Sequence, residues 1–160
     1  MNHQVNREDR SLLCRARTIV CALPLSHVVE TMRPLPIKAL GGMPPFVLGL
    51  SVIRGATIPV VDVGALLGLP TGGQATRFIS LRTGDRRVAL AVEEIVGFRA
   101  LSSVSLETLP PLLHRAKSRV IALVGGLDAH LLIVLQDSRI VPDWAWKSLA
   151  GEGDTLCPLV

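Results

Sequence analysis

Short apolar runs, each closed by a charge, a proline or a glycine, follow one another along most of the chain. Leu12 to Ala16 and Ile19 to Leu25 read as two strands joined by a tight turn at Arg17-Thr18, although no glycine supports that turn. Pro24 is expected to end or bulge the second strand. The β-branched run Val28 to Met32 reads as a strand with Glu30 on one face. Arg33 to Pro45 is broken by prolines and glycines and reads as a connecting loop, and Pro45 to Leu48 as one helical turn. Leu50 to Ile53 and Thr57 to Val61 are the next strands, with Arg54-Gly55 between them. A lone arginine there is either a solvated hairpin tip or a charge held at a fixed place on a surface. Val63 to Leu67 predicts a short helix stopped by Gly68, and Pro70 to Gly73 the boundary between two lobes.

The second half repeats the pattern. Arg77 to Leu81 and Arg87 to Val92 form an expected hairpin around Thr83-Gly84-Asp85, and Glu94 to Leu101 a strand interrupted at Gly97. Ser102 to Lys117, with Pro110-Pro111, reads as a loop. Val120 to Val124 and Leu131 to Leu135 flank a glycine-rich turn, and Gln136 to Leu149 reads as a C-terminal helix capped by Asp137 or Asp143. Trp144 and Trp146 are expected to pack that segment on a lobe. About ten short strands without alternating helices predict a mainly β, barrel-like class. There is also a faint echo: Cys21 to Leu25 leading to Val28-Val29-Glu30 resembles Val88 to Val92 leading to Ile95-Val96-Gly97, as two similar small barrels would produce.

Composition sharpens this picture. At 160 residues and 49% hydrophobic, the chain is one domain of residues 12–149, with a flexible stretch 1–11 and a tail 150–160 expected outside it. No apolar run approaches the roughly 18 residues that span a bilayer, and the polar start carries no secretory h-region, so a cytoplasmic location without membrane insertion is expected. The surplus apolar surface then needs a core or a partner interface. The net charge of +4 is scattered, and with 3% aromatic residues and no Tyr the chain lacks the stacking platforms of a nucleic-acid binder. Aromatic scarcity argues equally against a reader of proline-rich peptides.

Candidate chemistry is thin. There is no Walker loop, no HExxH and no GxGxxG, and the nucleophile-elbow start at Gly49-Leu50-Ser51 fails because Ile53 stands where glycine is required. His3, His27, His114 and His130 share no metal spacing; Asp62, Glu93, Glu94 and Asp137 read as acidic stops after apolar runs. No catalytic residue, metal or cofactor is expected. The three cysteines make no disulfide framework. A hairpin at Arg17-Thr18 sets Cys14 opposite Cys21, where either a cross-strand disulfide or, in a reducing cytosol, two small buried thiols fits.

Taken together, the ordered segments resemble the CheW-like domain of bacterial chemotaxis coupling proteins. The most specific part is Gly49 to Asp62, similar to the family's Gly-Val-x-Asn-Leu-Arg-Gly-x-x-x-Pro-Val-x-Asp segment. Cys21 to Leu25 with Val28 and Glu30, then Val88 to Gly97, then Leu132 to Leu135 support it in the right order. The departures are Val52 for the usual Asn, Glu93 for the usual Asp, and a first hairpin shortened to Arg17-Thr18. If the Asn is a buried side chain bonded to backbone, Val52 loses that role.

The resemblance implies two small five-stranded SH3-like barrels over a shared apolar core, with a C-terminal helix and no catalysis. It implies an adaptor that links the cytoplasmic tips of transmembrane chemoreceptors to the regulatory domain of a CheA-type histidine kinase and is recruited to membrane-bound receptor arrays. Carried over by position, Leu25, Val28 and Val96 would line the groove for the receptor's helical hairpin, with Glu30 and Arg54 as a charged pair near it. Core packing is the competing reading for the three apolar residues. A scaffold in another receptor–kinase pathway, such as twitching motility, and a small enzyme whose site assembles only on folding are the alternatives.

Overall fold

The computed structural model describes residues 10–70, 73–101, 106–107, 121–127, 130–135 and 140–147. Its strands are β1 (Arg10–Ala16), β2 (Ile19–Pro24), β3 (Val28–Met32), β4 (Val47–Ile53), β5 (Ala56–Asp62), β6 (Arg77–Thr83), β7 (Arg86–Val92), β8 (Glu94–Ala100), β9 (Leu106–Glu107), β10 (Ile121–Leu127) and β11 (His130–Leu135). A 3-10 turn at Leu25–His27 follows β2, the short helix α1 (Val63–Leu66) follows β5, and residues 143–147 are helical. None of the described helices is long and apolar enough to cross a membrane.

Two sheets result, ordered β8-β1-β2-β11-β10-β9 and β3-β6-β7-β5-β4. The two-residue β9 extends the first sheet beyond its five main strands and lies within a stretch expected to be loop. The hairpins β1–β2 and β6–β7 are built alike, and each passes the strand that follows it to the other sheet. Thus β3 pairs with β6, and β8 pairs with β1. The registers match position for position. Cys14 faces Ile95 and Leu13 faces Gly97, while Leu81 faces Val28 and Ser80 faces Glu30. Val96 and Val29 are the skipped residues, so each exchanged strand bulges at the same place. The sequence echo is therefore a structural repeat. This exchange moves the lobe boundary: Pro70 to Gly73 joins α1 to β6 within one sheet, and the chain changes sheets at Leu25–His27 and at Glu93.

Three apolar clusters explain the composition. Leu12, Cys14, Cys21, Leu23 and Ile133 of the first sheet meet Leu50, Val61, Ile79, Leu81 and Leu90 of the second in one core shared by both sheets. Leu13, Val20, Ala22 and Leu132 fill the inside of the first sheet's curve, and Ile53, Ile58, Val60, Phe78, Ala89 and Ala91 that of the second. The central strands are thus buried on both faces, which demands continuous apolar runs rather than alternation. Much of the apolar surplus goes inward.

Several boundaries differ from expectation. β1 begins at Arg10, ahead of Leu12. The expected helical turn at Pro45 to Leu48 is instead a turn whose Val47 N–H donates to Pro44 O, with β4 starting at once because Phe46 O accepts from Asp62 N–H of the neighbouring strand. Asp137 lies outside the described residues. Residues 140–142 are not helical, and the helix starts after Pro142, whose carbonyl accepts from Ala145 and Trp146. Asp143 is the first residue of the helix and pairs with Arg86 at 2.9 Å. Trp146 packs on the shared core and under Arg86, 5.2 Å from its ring centre, whereas Trp144 is exposed.

Candidate functional site

The hairpin β4–β5 turns on two residues with positive φ, Arg54 at 52° and Gly55 at 77°, between the paired Ile53 and Ala56. Two such residues make the turn that matches the twist of a tight hairpin, and an arginine rarely occupies the first place. Here its side chain reaches Glu30 in a two-pronged pair, Nε to Oε1 at 3.2 Å and Nη2 to Oε2 at 2.9 Å. The pair joins β3 and the β4–β5 turn, which belong to opposite edges of the second sheet, so it closes that sheet into a barrel. Both sequence readings of Arg54 hold. It is a hairpin tip, 75% exposed, and it is also a placed charge whose partner Glu30 is 24% exposed. Bonding to Arg54 holds the Glu30 carboxyl below its ordinary range, and Glu30 in turn raises Arg54.

The apolar candidates divide. Leu25, in the 3-10 turn, is 36% exposed, and Val96, the bulged residue of the edge strand β8, is 52% exposed, so neither is core. Val28 is half-buried and packs against the shared core. Leu25 and Val28 are brought together, the Val28 N–H donating to Leu25 O. Val96 lies two strands across from β2, with β1 between. Val52 is 65% exposed on the outer edge strand β4, paired with Thr57. No buried Asn has been lost there; the departure alters surface.

A second constellation was invisible as such in the sequence. Arg17, at the tip of the shortened first hairpin with φ 55°, inserts between the two sheets. Its guanidinium bonds Asp62 at 3.2 and 3.3 Å, Glu93 at 2.9 Å and Pro70 O at 3.1 Å, and its backbone N–H also donates to Glu93. Bonding to Asp62, opposed by burial and helped by Glu93, raises Arg17 further above its usual value. Asp62 also caps α1, accepting from Gly64 N–H at 3.0 Å. Gly64 and Gly73 leave room for these side chains, since a Cβ at either would displace the Arg17 guanidinium or the Glu93 carboxylate respectively. The signal was present in pieces: a glycine-free tight turn, the Glu in place of Asp, and acidic stops after two strands.

Arg17, Asp62 and Glu93 line a cavity of about 170 Å³ with Leu48, Ala75 and Val92. Because Arg17 binds both carboxylates, the arrangement ties the sheets together and leaves neither acid unpaired. Cys14 and Cys21 face each other in register, both buried and free, with the hydrogen bond to the Cys21 thiol, and then burial, pushing Cys14 well up. Among the described residues no group of three or more His, Cys, Asp or Glu side chains is placed to hold a metal ion.

Among curated proteins none matches the chain significantly. Among solved structures, the scaffolding protein TtCheW from Thermoanaerobacter tengcongensis superposes with a TM-score of 0.69 at 19% identity, over 80% of this chain and 88% of that one. At that identity the likeness concerns the fold, and the paired SH3-like barrels are common to both. The family model of the CheW-like domain matches residues 10–143. With every described strand inside that match, the chain belongs to the CheW-like domain family.

Proposed function

We propose that this protein is a non-catalytic coupling scaffold that links the cytoplasmic tips of transmembrane chemoreceptors to a CheA-type histidine kinase in bacterial chemotaxis. The family match over residues 10–143 carries this reading. The site is compatible with it. Helix-in-groove recognition uses exposed apolar side chains with a few fixed charges at the rim. Leu25 and Val96 are exposed, and Arg54 is held outward by Glu30. In this reading Leu25, Val28 and Val96 meet the receptor hairpin, Arg54 and Glu30 set its register, and the protein works in the cytoplasm at membrane-bound arrays. The convergence of Arg17, Asp62 and Glu93 does not favour an enzyme, because the arginine occupies both acids.

The test is co-sedimentation of the full chain with a receptor cytoplasmic fragment and the kinase from the same organism. A ternary complex is expected, weakened by Arg54→Glu. No binding to any of that organism's receptors or kinases at tens of micromolar would overturn the proposal. Exposed Val52, where the family has Asn, favours a second reading, a scaffold in another receptor–kinase pathway such as twitching motility. The genes beside this one distinguish the two.

A further inference from the structure

One end of the second barrel carries more positive charge than its own acids answer. Arg82 and Arg87 stand directly opposite each other on β6 and β7. Opposed residues share a sheet face, and like charges so placed repel. That face is the one of Phe78 and Ala91, the barrel's interior, so both arginines stand at its mouth. The neighbouring acids are already shared out: Glu30 bonds Arg54 at 2.9 Å and its charge also acts on Arg87, and Asp143 bonds Arg86 at 2.9 Å. Asp85 is exposed in the turn, and Arg82 Nε donates only a long 3.3 Å bond to Gly84 O.

The first lobe supplies an internal comparison. Arg15 there corresponds to Arg82 in the repeat and has its own acid, Glu94, at 2.9 Å. Val20 corresponds to Arg87. The second lobe therefore has an added arginine, and its acid on this face, Glu30, is bonded to Arg54 and reaches Arg87 only through its charge. Two buried polar atoms, Arg87 Nε and Ser80 Oγ, have no hydrogen-bond partner among the described residues, and Ser80 lies on the same face one pair further in. Buried polar groups are normally satisfied, so both atoms are available to a polar partner.

We propose that the mouth of the second barrel is a docking site for an acidic protein segment, one Glu or Asp side chain of which is received between Arg82 and Arg87. A carboxylate accepts forked, charge-assisted bonds from guanidinium groups and removes the repulsion between them. Val29, exposed at the bulge of the adjoining β3, offers an apolar contact beside it. A protein acid fits better than a nucleic acid, because neither exposed aromatic, Phe98 or Trp144, lies on these strands to stack a base.

The experiment titrates the full chain with a labelled synthetic peptide carrying a central Glu-Val-Glu, its Gln-Val-Gln counterpart, and a short oligonucleotide of equal charge. The Glu peptide is expected to bind, to shift the Arg87 Nε–H resonance, and to lose about tenfold in affinity in Arg82→Gln, with Arg15→Gln unchanged. The Gln peptide should bind at least tenfold more weakly. Since Arg87 is half-buried, Arg82→Gln decides if Arg87→Gln destabilises the fold. No binding at millimolar peptide, equal binding by Arg82→Gln, or an oligonucleotide bound as tightly as the peptide through the same residues would each overturn the proposal. None of these outcomes depends on a receptor or a kinase.

Discussion

Replacing Arg17 by Met keeps most of the side chain's bulk and removes its charge, leaving Asp62 and Glu93 side by side between the sheets. The native side chain makes four bonds at 2.9 to 3.3 Å, to Asp62, Glu93 and Pro70. Its side chain is 14% exposed, and those of Asp62 and Glu93 are 22% and 15% exposed. Removing one partner of a fully buried ion pair costs roughly 3–5 kcal/mol. Partial exposure screens the acids left behind, so about 2–3 kcal/mol is expected here. For a domain of this size that lowers Tm by roughly 4–12 °C. Thermal unfolding followed by circular dichroism measures it, in a cycle with Glu93→Gln. Because Glu93→Gln removes one of the two acids stranded by the first change, the double variant should lose less than the sum of the singles, by about 0.5–3 kcal/mol. A single-variant shift under 2 °C, or strict additivity in the cycle, would show that Arg17 does not tie the sheets.

Three further outcomes follow from the geometry. Glu30 has its pKa lowered by Arg54, so its contribution is present above the unfolded value of about 4.3 and is lost as pH falls through the folded one. The stability gap between wild type and Glu30→Gln should therefore be constant near neutrality and close in acid, as urea unfolding at a series of pH values would show; a gap that widens in acid contradicts the pairing. Val52→Asn, at a 65% exposed position, should move Tm by less than about 2 °C, and a large loss would mean that β4 is covered. With Cys157 replaced by Ser, the buried pair Cys14 and Cys21 should resist a thiol reagent in the native protein and both react in guanidinium. Rapid native reaction would indicate a shared core that opens.

By itself the sequence determined the order and type of most elements. The reason is local: the β4–β5 and β6–β7 turns each hold a glycine, Gly55 or Gly84, at positive φ, and strands buried on both faces read as unbroken apolar runs. It also placed Glu30 and Arg54 together, through family resemblance, and the bond between them is in the structure. Where information is non-local, the chain was silent. Pro70 to Gly73 has the composition of a linker, yet the lobes divide at Leu25–His27 and Glu93, because strand exchange is a matter of which edges pair. Whether Val52 replaces a buried or a surface Asn was not legible locally; it is exposed, because β4 is an edge. Arg17, Asp62 and Glu93 are 45 and 76 residues apart in pairs with the arginine, each ordinary in its own context. Only folding the two sheets over one core makes them a single ionic tie, since a charge cluster depends on distances in space that no local pattern encodes.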